Sequence, residues 1–203
     1  MSELWVPLDV SDTDEDPLVQ FRRWFDEAVP HMRERDTVAL VTATRDARPS
    51  ARMVLLRHVG EDGLGWFSNY DSRKARELRE NPHASLLWYC EPLGRQVRIE
   101  GEVRLMDAAA SDAYFAARPR GHQIGAHASA QSSVLATRAT LEERREEMER
   151  KFSGSDVPRP ENWGGFLLVA QYYEFWQHRS DRLHDRVAYV RVAPKWRRER
   201  LSP

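Results

Sequence analysis

Gly165-Phe166-Leu167-Leu168-Val169-Ala170-Gln171, Tyr173-Glu174-Phe175-Trp176-Gln177 and, after a polar break, Arg182-Leu183-His184-Asp185-Arg186 leading into Val187-Ala188-Tyr189-Val190-Arg191-Val192 decide how this chain is read. The apolar, aromatic and β-branched runs are too short for helices and predict strands separated by brief turns. In an extended segment alternate side chains share a face. Arg182, His184 and Arg186 are then expected to point one way, with Leu183 and Asp185 pointing the other. Two fixed cations flanking an imidazole repel one another unless an anion lies between them. The plain alternative is a solvated basic strand.

Working outward, the same short-strand pattern recurs. Thr37–Thr44 and Ser50–His58 flank Arg45–Pro49 as a predicted hairpin, Gly63–Asn69 is a further strand, and His83–Cys90 and Arg95–Leu105 form a second hairpin. Trp196–Leu201 is the last strand. Leu18, Phe21, Trp24, Phe25 and Val29 recur at helical spacing from Pro17 to about His31. Further helices are expected over Ser72–Glu80, stopped by Asn81-Pro82, over about Ala108–Arg118 and over Thr140–Phe152, with Gly121–Ser133 a small-residue loop or broken helix. Antiparallel strands with helices inserted rather than alternating predict a mainly β fold, a β-barrel with helical decoration. Residues 9–16 hold four aspartates and a glutamate, so residues 1–16 are expected as a loose acidic arm and residues 17–203 as one domain.

Composition excludes several classes. A length of 203 residues suits one domain, and seven tryptophans make a sizeable core available. A net charge of -1 argues against general nucleic-acid or membrane binding. Cys90 is the single cysteine, which rules out an intrachain disulfide and fits a reducing compartment. No apolar run is long enough for a membrane helix, and the N-terminus lacks a signal pattern, so a cytoplasmic protein is expected. No metal site is expected: the histidines are scattered, and His122 and His127 are poorly spaced for one helical face.

Cations cluster elsewhere too. Arg73 and Lys74 fall in the first turn of the helix capped by Asp71 or Ser72, where they oppose the helix dipole. An anion there would receive backbone N–H groups and two positive side chains; otherwise Glu77 and Glu80 could neutralise the pair. Tyr114 and Arg118 share a helix face and suit a phosphate. Arg52 and Arg57 bracket Met53-Val54-Leu55-Leu56, which reads as a buried strand. Strict alternation puts the two arginines on opposite faces, so both serve one site only if the strand bulges or ends before Arg57. Gln131-Ser132-Ser133 adds amide and hydroxyl donors.

Taken in order, Arg52-Met53-Val54-Leu55-Leu56, Ser72-Arg73-Lys74, Arg95-Gln96-Val97, Arg118-Pro119-Arg120, Gln123-Ile124-Gly125-Ala126, Gln131-Ser132-Ser133, Trp163-Gly164-Gly165-Phe166, Glu174-Phe175-Trp176-Gln177, Arg182-Leu183-His184-Asp185-Arg186 and Arg200-Leu201-Ser202-Pro203 resemble the pyridoxine/pyridoxamine 5′-phosphate oxidases. The resemblance runs from about Pro17 to Pro203. It implies an FMN-binding split β-barrel, assembled as a homodimer with a flavin in each of two intersubunit clefts. By motif match Arg52, Met53, Val54, Leu55, Phe67, Ser68, Arg73 and Lys74 would hold the flavin and its phosphate. Gln96, Gln131, Ser132, Trp176 and Arg186 would complete that site, partly from the partner subunit. Arg57, Tyr114, Arg118 and His122 would form the substrate-phosphate pocket, with Arg182 and His184 over the reacting face as catalytic residues.

The implied reaction is oxidation of the C4′ amine or alcohol of pyridoxamine or pyridoxine 5′-phosphate to the aldehyde, with dioxygen as acceptor and hydrogen peroxide released. The chain departs from the family pattern at Arg57, a lysine in the family, at His122, a serine, and at His127, a tryptophan. Its N-terminal arm is acidic where the family often has a basic segment. Related phenazine-biosynthesis oxidases share the fold and the Arg-Leu-His motif, so a dihydrophenazine-type substrate is the alternative. A non-catalytic barrel storing flavin, deazaflavin or haem is a third reading, one that does not need Arg182 and His184 together.

Overall fold

The computed structural model describes residues 5–203. The strands are β1 (Thr37–Ala43), β2 (Pro49–Leu55), β3 (His58–Gly60), β4 (Gly63–Asn69), β5 (His83–Cys90), β6 (Arg95–Leu105), β7 (Trp163–Gln177), β8 (Asp185–Val192) and β9 (Lys195–Arg200). The helices are α1 (Pro17–Glu27), α2 (Arg73–Glu80), α3 (Ala108–Ala116), α4 (Arg120–Ala128) and α5 (Arg138–Lys151). Every strand pairing is antiparallel, in the order β2-β1-β5-β6-β7-β4-β3, with β8 on β7 and β9 on β8. The sheet curls into a split β-barrel with the helices attached to it, as the strand pattern predicts.

One strand organises the sheet. The two runs read as separate strands, Gly165–Gln171 and Tyr173–Gln177, are parts of the single strand β7. One edge of β7 pairs with β6 along its length, while the other pairs first with β4 through Leu168 and then with β8 from Tyr172. The change of partner coincides with a β-bulge. Glu100 faces Tyr172 but Gly101 faces Ala170, which leaves Gln171 as the extra residue. A Cβ on Gly101 would lie 2.1 Å from the Val169 carbonyl oxygen, so only glycine fits opposite the bulge.

The main core lies between α1 and the sheet and contains Phe21, Trp24, Val38, Leu40, Leu64, Trp66, Leu86, Trp88, Val97, Ile99, Phe175 and Tyr189. A smaller cluster of Phe115, Ile124, Phe152, Val157 and Trp163 joins the helices to the start of β7, with Phe67 and Tyr114 packed against it. Asp16 caps α1 by accepting the Leu18 N–H, and Pro17 fills the first position. The helix stops at Glu27, short of the predicted His31, and Val29 is exposed. Pro30 has no N–H and disfavours helical geometry in the residue before it.

Four further expectations are corrected. Residues 9–16 are docked, not loose. Leu8 is buried and its N–H reaches Asp185 Oδ2 at 3.0 Å; Arg200 holds Asp9 at 2.5 Å; Arg198 Nη1 donates to the Thr13 carbonyl at 2.6 Å; the Tyr189 hydroxyl donates to that of Asp14 at 2.7 Å. Strand β9 thus pairs with one carboxylate of the acidic segment, Asp9, and holds its backbone carbonyls through Arg198, contacts distant in sequence. Residues 1–4 of the expected arm lie outside the described residues. Gly121–Ser133, read as a loop or broken helix, contains α4, whose buried face is Gln123, Ile124 and Ala128. The Met53–Leu56 run is not a buried strand: Met53 is 63% and Leu55 40% exposed, because β2 is the sheet edge. Finally, Arg182–Arg186 is extended only from Asp185; Arg182 sits in a turn with φ of 66°.

Gly101→Ala is expected to destabilise the chain by about 1–3 kcal/mol, the usual cost of a forced steric contact in a packed site. Glu102→Ala on the exposed side of the same strand should change stability little. Urea unfolding of the two variants checks this.

Candidate active site

The end of β2 at Leu55 shapes the site. The Leu56 N–H donates to the Asp36 carbonyl at 2.7 Å and the Arg57 N–H to the Gly65 carbonyl at 2.8 Å, so the chain crosses from β1 towards β4 between the two arginines. The alternation argument therefore stops before Arg57, and Arg52 and Arg57 both line one cavity of about 540 Å³. Met53, Val54, Leu55, Phe67, Ser68, Arg73, Lys74, Tyr114, Arg118, Gln131 and Ser132 also line it. Ser50, Ala51 and Trp163 complete the lining.

The cavity has a stacked aromatic wall. Phe67 and Tyr114 lie 3.9 Å apart at 8°, and Trp163 continues the stack 5.6 Å from Phe67 at 11°. The Arg118 guanidinium lies 4.7 Å from the Trp163 ring centroid. Its Nη1 is buried without a hydrogen-bond partner among the described residues.

The other end is cationic. Ser72 caps α2 by position, while its hydroxyl donates to the Asn69 carbonyl at 2.7 Å instead of accepting a helix N–H. Lys74 is 8% exposed, and among the described residues its Nζ donates to neutral oxygens: Ser68 Oγ at 2.9 Å, Gln131 Oε1 at 3.2 Å and Ser72 Oγ at 3.3 Å. Burial, with the charge of Arg52 beside it, brings its pKa down to about 8. Five cations line the cavity, Arg52, Arg57, Arg73, Lys74 and Arg118, with no aspartate or glutamate among the lining residues.

Glu77 lies behind this wall and is 4% exposed. Its carboxylate accepts from Ser50 Oγ at 2.6 Å, Arg73 Nε at 2.8 Å and Arg52 Nη2 at 3.3 Å, as well as from Thr42 Oγ1. Burial alone would raise its pKa. The hydrogen bonds from Ser50, Thr42 and Arg73 and the charge of Arg52 outweigh burial and bring it to about 2. Glu80, the other candidate counter-ion, is exposed. Asp36 pairs with Arg57 at the opposite rim.

Gln96, Trp176, Arg182, His184 and Arg186 lie outside this cavity lining and form a second group around the end of β7. Gln96 faces Trp176 across β6 and β7, and Trp176 faces Arg186 across β7 and β8. Arg186 Nε donates to the buried Glu174 at 2.9 Å, which also accepts from Arg98 Nη2 at 2.7 Å. The His184 ring lies 4.5 Å from that of Trp176. His122, expected in the pocket with Arg57, Tyr114 and Arg118, is on the exposed side of α4 and outside the lining. Helical spacing turns Gln123 and Ile124 inward in its place.

A family model described as pyridoxamine 5′-phosphate oxidase matches residues 25–151, and one described as the pyridoxine 5′-phosphate oxidase C-terminal dimerisation region matches residues 163–203. The chain belongs to the pyridoxamine 5′-phosphate oxidase family. A pyridoxine/pyridoxamine 5′-phosphate oxidase from Rubrobacter xylanophilus is 50% identical over 94% of this chain and 88% of its own. A chloroplastic one from Arabidopsis thaliana is 51% identical over 93% of this chain, which spans only 37% of that protein. Among solved structures, PhzG from Burkholderia lata in complex with tetrahydrophenazine-1-carboxylic acid superposes with a TM-score of 0.89 at 32% identity, covering 95% of both chains. Among the described residues no helix is long and apolar enough to cross a membrane, and no group of three potential metal ligands occurs.

In this family member sequence reasoning gave no role to Trp163 or Ser50. Trp163 carried a signal in its Trp-Gly-Gly-Phe context; Ser50 carried none, since its contact with Glu77 joins residues 27 apart. A folded-state pKa of about 2 for Glu77, against an ordinary 4.5, means that its stabilisation is complete above about pH 4.5 and is lost as pH falls towards 2. Glu77→Gln should remove that part of the acid sensitivity, measured as unfolding free energy against pH for parent and variant.

Proposed function

We propose that this protein is an FMN-dependent oxidase that converts pyridoxamine 5′-phosphate or pyridoxine 5′-phosphate to pyridoxal 5′-phosphate, with dioxygen as acceptor and hydrogen peroxide as second product, acting as a homodimer. The observation that carries this reading is the cavity with five cations, no lining carboxylate and an aromatic wall. It has the size of a small-molecule site, and its charge suits two phosphate groups better than one.

Arg52, Arg73 and Lys74, with Ser68, Gln131 and Ser132, would hold the phosphate of FMN, and Met53, Val54, Leu55 and Phe67 would line its ring. The residues fit the group: among the described residues Lys74 has neutral hydrogen-bond partners, and Arg73 and Lys74 stand in the first turn of α2. FMN bound there would supply the hydride acceptor and the route of the electrons to dioxygen. Tyr114, Arg118 and Arg57 would grip the substrate phosphate, for which the unpartnered Nη1 of Arg118 is suited. Gln96, Trp176, Arg182, His184 and Arg186 would reach the cavity from the partner subunit. The match to a dimerisation region over residues 163–203 and the exposed Met53 and Leu55 at the cavity edge support that assembly. Arg182 would orient the substrate and offset developing charge. The buried, unpaired Cys90 suits a reducing cytoplasm.

Replacing Arg73 and Lys74 together by Ala should weaken FMN by about 3–6 kcal/mol, taking about 1.5–3 kcal/mol for each charge-assisted bond; flavin fluorescence titration measures it. A phosphate beside Lys74 would favour its charged form, so FMN binding should take up a proton and weaken as pH rises above about 8.

Arg118→Ala should raise the KM for pyridoxamine 5′-phosphate by about ten- to a hundredfold while FMN stays bound. Peroxide assays with phosphorylated and unphosphorylated pyridoxamine test the substrate assignment, and the parent should strongly prefer the former. Equal turnover of both, or oxidation of a dihydrophenazine alone, would overturn it in favour of a PhzG-like substrate. FMN binding without any peroxide would favour a store.

A further inference from the structure

We propose that the Arg179 backbone N–H holds His184 as the tautomer protonated on Nε2, so that this imidazole serves the reaction as a hydrogen-bond donor and not as a proton acceptor. The inference deepens the oxidase reading and rests on it for the catalytic context; the tautomer itself is a property of the turn.

The turn between β7 and β8 is built tightly. The Arg182 N–H donates to the Arg179 carbonyl at 3.2 Å and the Leu183 N–H to Asp181 Oδ1 at 2.9 Å. Arg182 takes the left-handed conformation with φ of 66°, a geometry that costs a non-glycine residue free energy and persists only where its surroundings enforce it. This folds His184 back over the start of the turn, where its Nδ1 accepts the Arg179 backbone N–H at 3.0 Å.

A ring nitrogen that accepts a hydrogen bond carries no proton, so the proton of the neutral ring is on Nε2. Turning the ring over would put a carbon against that N–H and leave a backbone donor without its partner. Protonating Nδ1 would break the same bond. Nε2 already holds a proton and has no lone pair to accept another. The imidazole is left with one function, donation from Nε2–H to an acceptor atom of the substrate.

The surrounding charges agree. His178 lies 5.1 Å away ring to ring, and Trp176 covers the neighbouring side at 4.5 Å. His178 itself is wedged between Trp176 at 5.9 Å and Trp5 at 4.2 Å. Of the charged groups facing His184, Arg182 and His178 oppose an imidazolium, whereas Asp181 and Asp185 favour one. Asp185 is drawn off, since its carboxylate also accepts the Leu8 N–H at 3.0 Å and pairs with Arg200 at 3.2 Å. Burial and then His178 move the His184 pKa below its ordinary value, outweighing the two aspartates.

The test uses the FMN-loaded protein labelled with ¹⁵N-histidine. A long-range ¹H–¹⁵N correlation spectrum at pH 7, with His184 assigned by its loss in His184→Gln, should give the Nε2–H pattern. His178→Phe, which keeps the ring packing and removes the neighbouring imidazole, should move the His184 titration midpoint upward. Glutamine places an amide N–H near the Nε2 position, and asparagine places one near Nδ1. His184→Gln should therefore retain about ten- to a hundredfold more kcat/KM for pyridoxamine 5′-phosphate than His184→Asn, the worth of one strong hydrogen bond. An Nδ1–H or imidazolium pattern at pH 7, an unmoved midpoint in His178→Phe, or equal activity of the two His184 variants would overturn the inference. A parent protein that binds FMN but does not oxidise the substrate would sink the oxidase reading alone, because the spectrum still reports the tautomer.

Discussion

Everything in this molecule hangs on the backbone hydrogen bonding of β7. Its one edge is committed to β6, and its other edge must serve β4 and then β8. A straight strand with strict alternation would present one continuous pair of faces to both partners. The bulge at Gln171 resets the alternation between the two halves, and Gly101 lets the backbones approach closely enough for the ladder to continue. The first half then carries Trp163 into the cavity wall. The second half carries Trp176 and the Glu174–Arg186 pair to a separate place. One strand thus contributes a residue to each group.

The cavity's electrostatics follow from a second constraint. Five cations cannot face one small space without opposing charge, and the lining supplies none. Glu77 supplies it from behind. Buried, it is held ionised by Ser50, Thr42, Arg73 and Arg52, and it fixes the two guanidinium groups in place. It leaves Lys74 and Arg118 without a carboxylate, which is the arrangement expected where an anionic ligand is the missing partner. Glu174 does the same work for Arg98 and Arg186 in the second group.

The two groups also differ in what surrounds them. The cavity is walled by packed aromatic rings and lies beside the exposed apolar side chains of an edge strand. In the second group Gln96, Trp176 and Arg186 lie on strands, while Arg182 and His184 lie on a turn held by its own hydrogen bonds and by the docked Leu8. Splitting the site residues in this way makes assembly between copies of the chain a condition of the proposed reaction, and it puts His184 on a turn fixed by its own hydrogen bonds.

What the sequence determined by itself was local. Runs of alternating or continuous apolar residues predicted β1, β2, β4, β5, β6, β8 and β9 to within a few residues and β7 as two pieces, because a short apolar run has few other uses; the three-residue β3 carried no such run. Pro17 marked the start of α1, and Asn81-Pro82 marked the end of α2, through effects confined to one turn of backbone. Chemical type was legible as well: Arg73 and Lys74 stood out as cations in a helix first turn, and Arg118 as a cation sharing a helix face with Tyr114. Tertiary structure decided what depends on distant partners. It docked the acidic segment on β9, joined the two halves of β7 through a bulge, and ended β2 before Arg57 so that both arginines share a cavity. It also exposed Met53, Leu55 and His122, and turned Arg182 out of the strand. In each case the deciding contact joins segments far apart in the chain, and no periodicity within one segment carries that information.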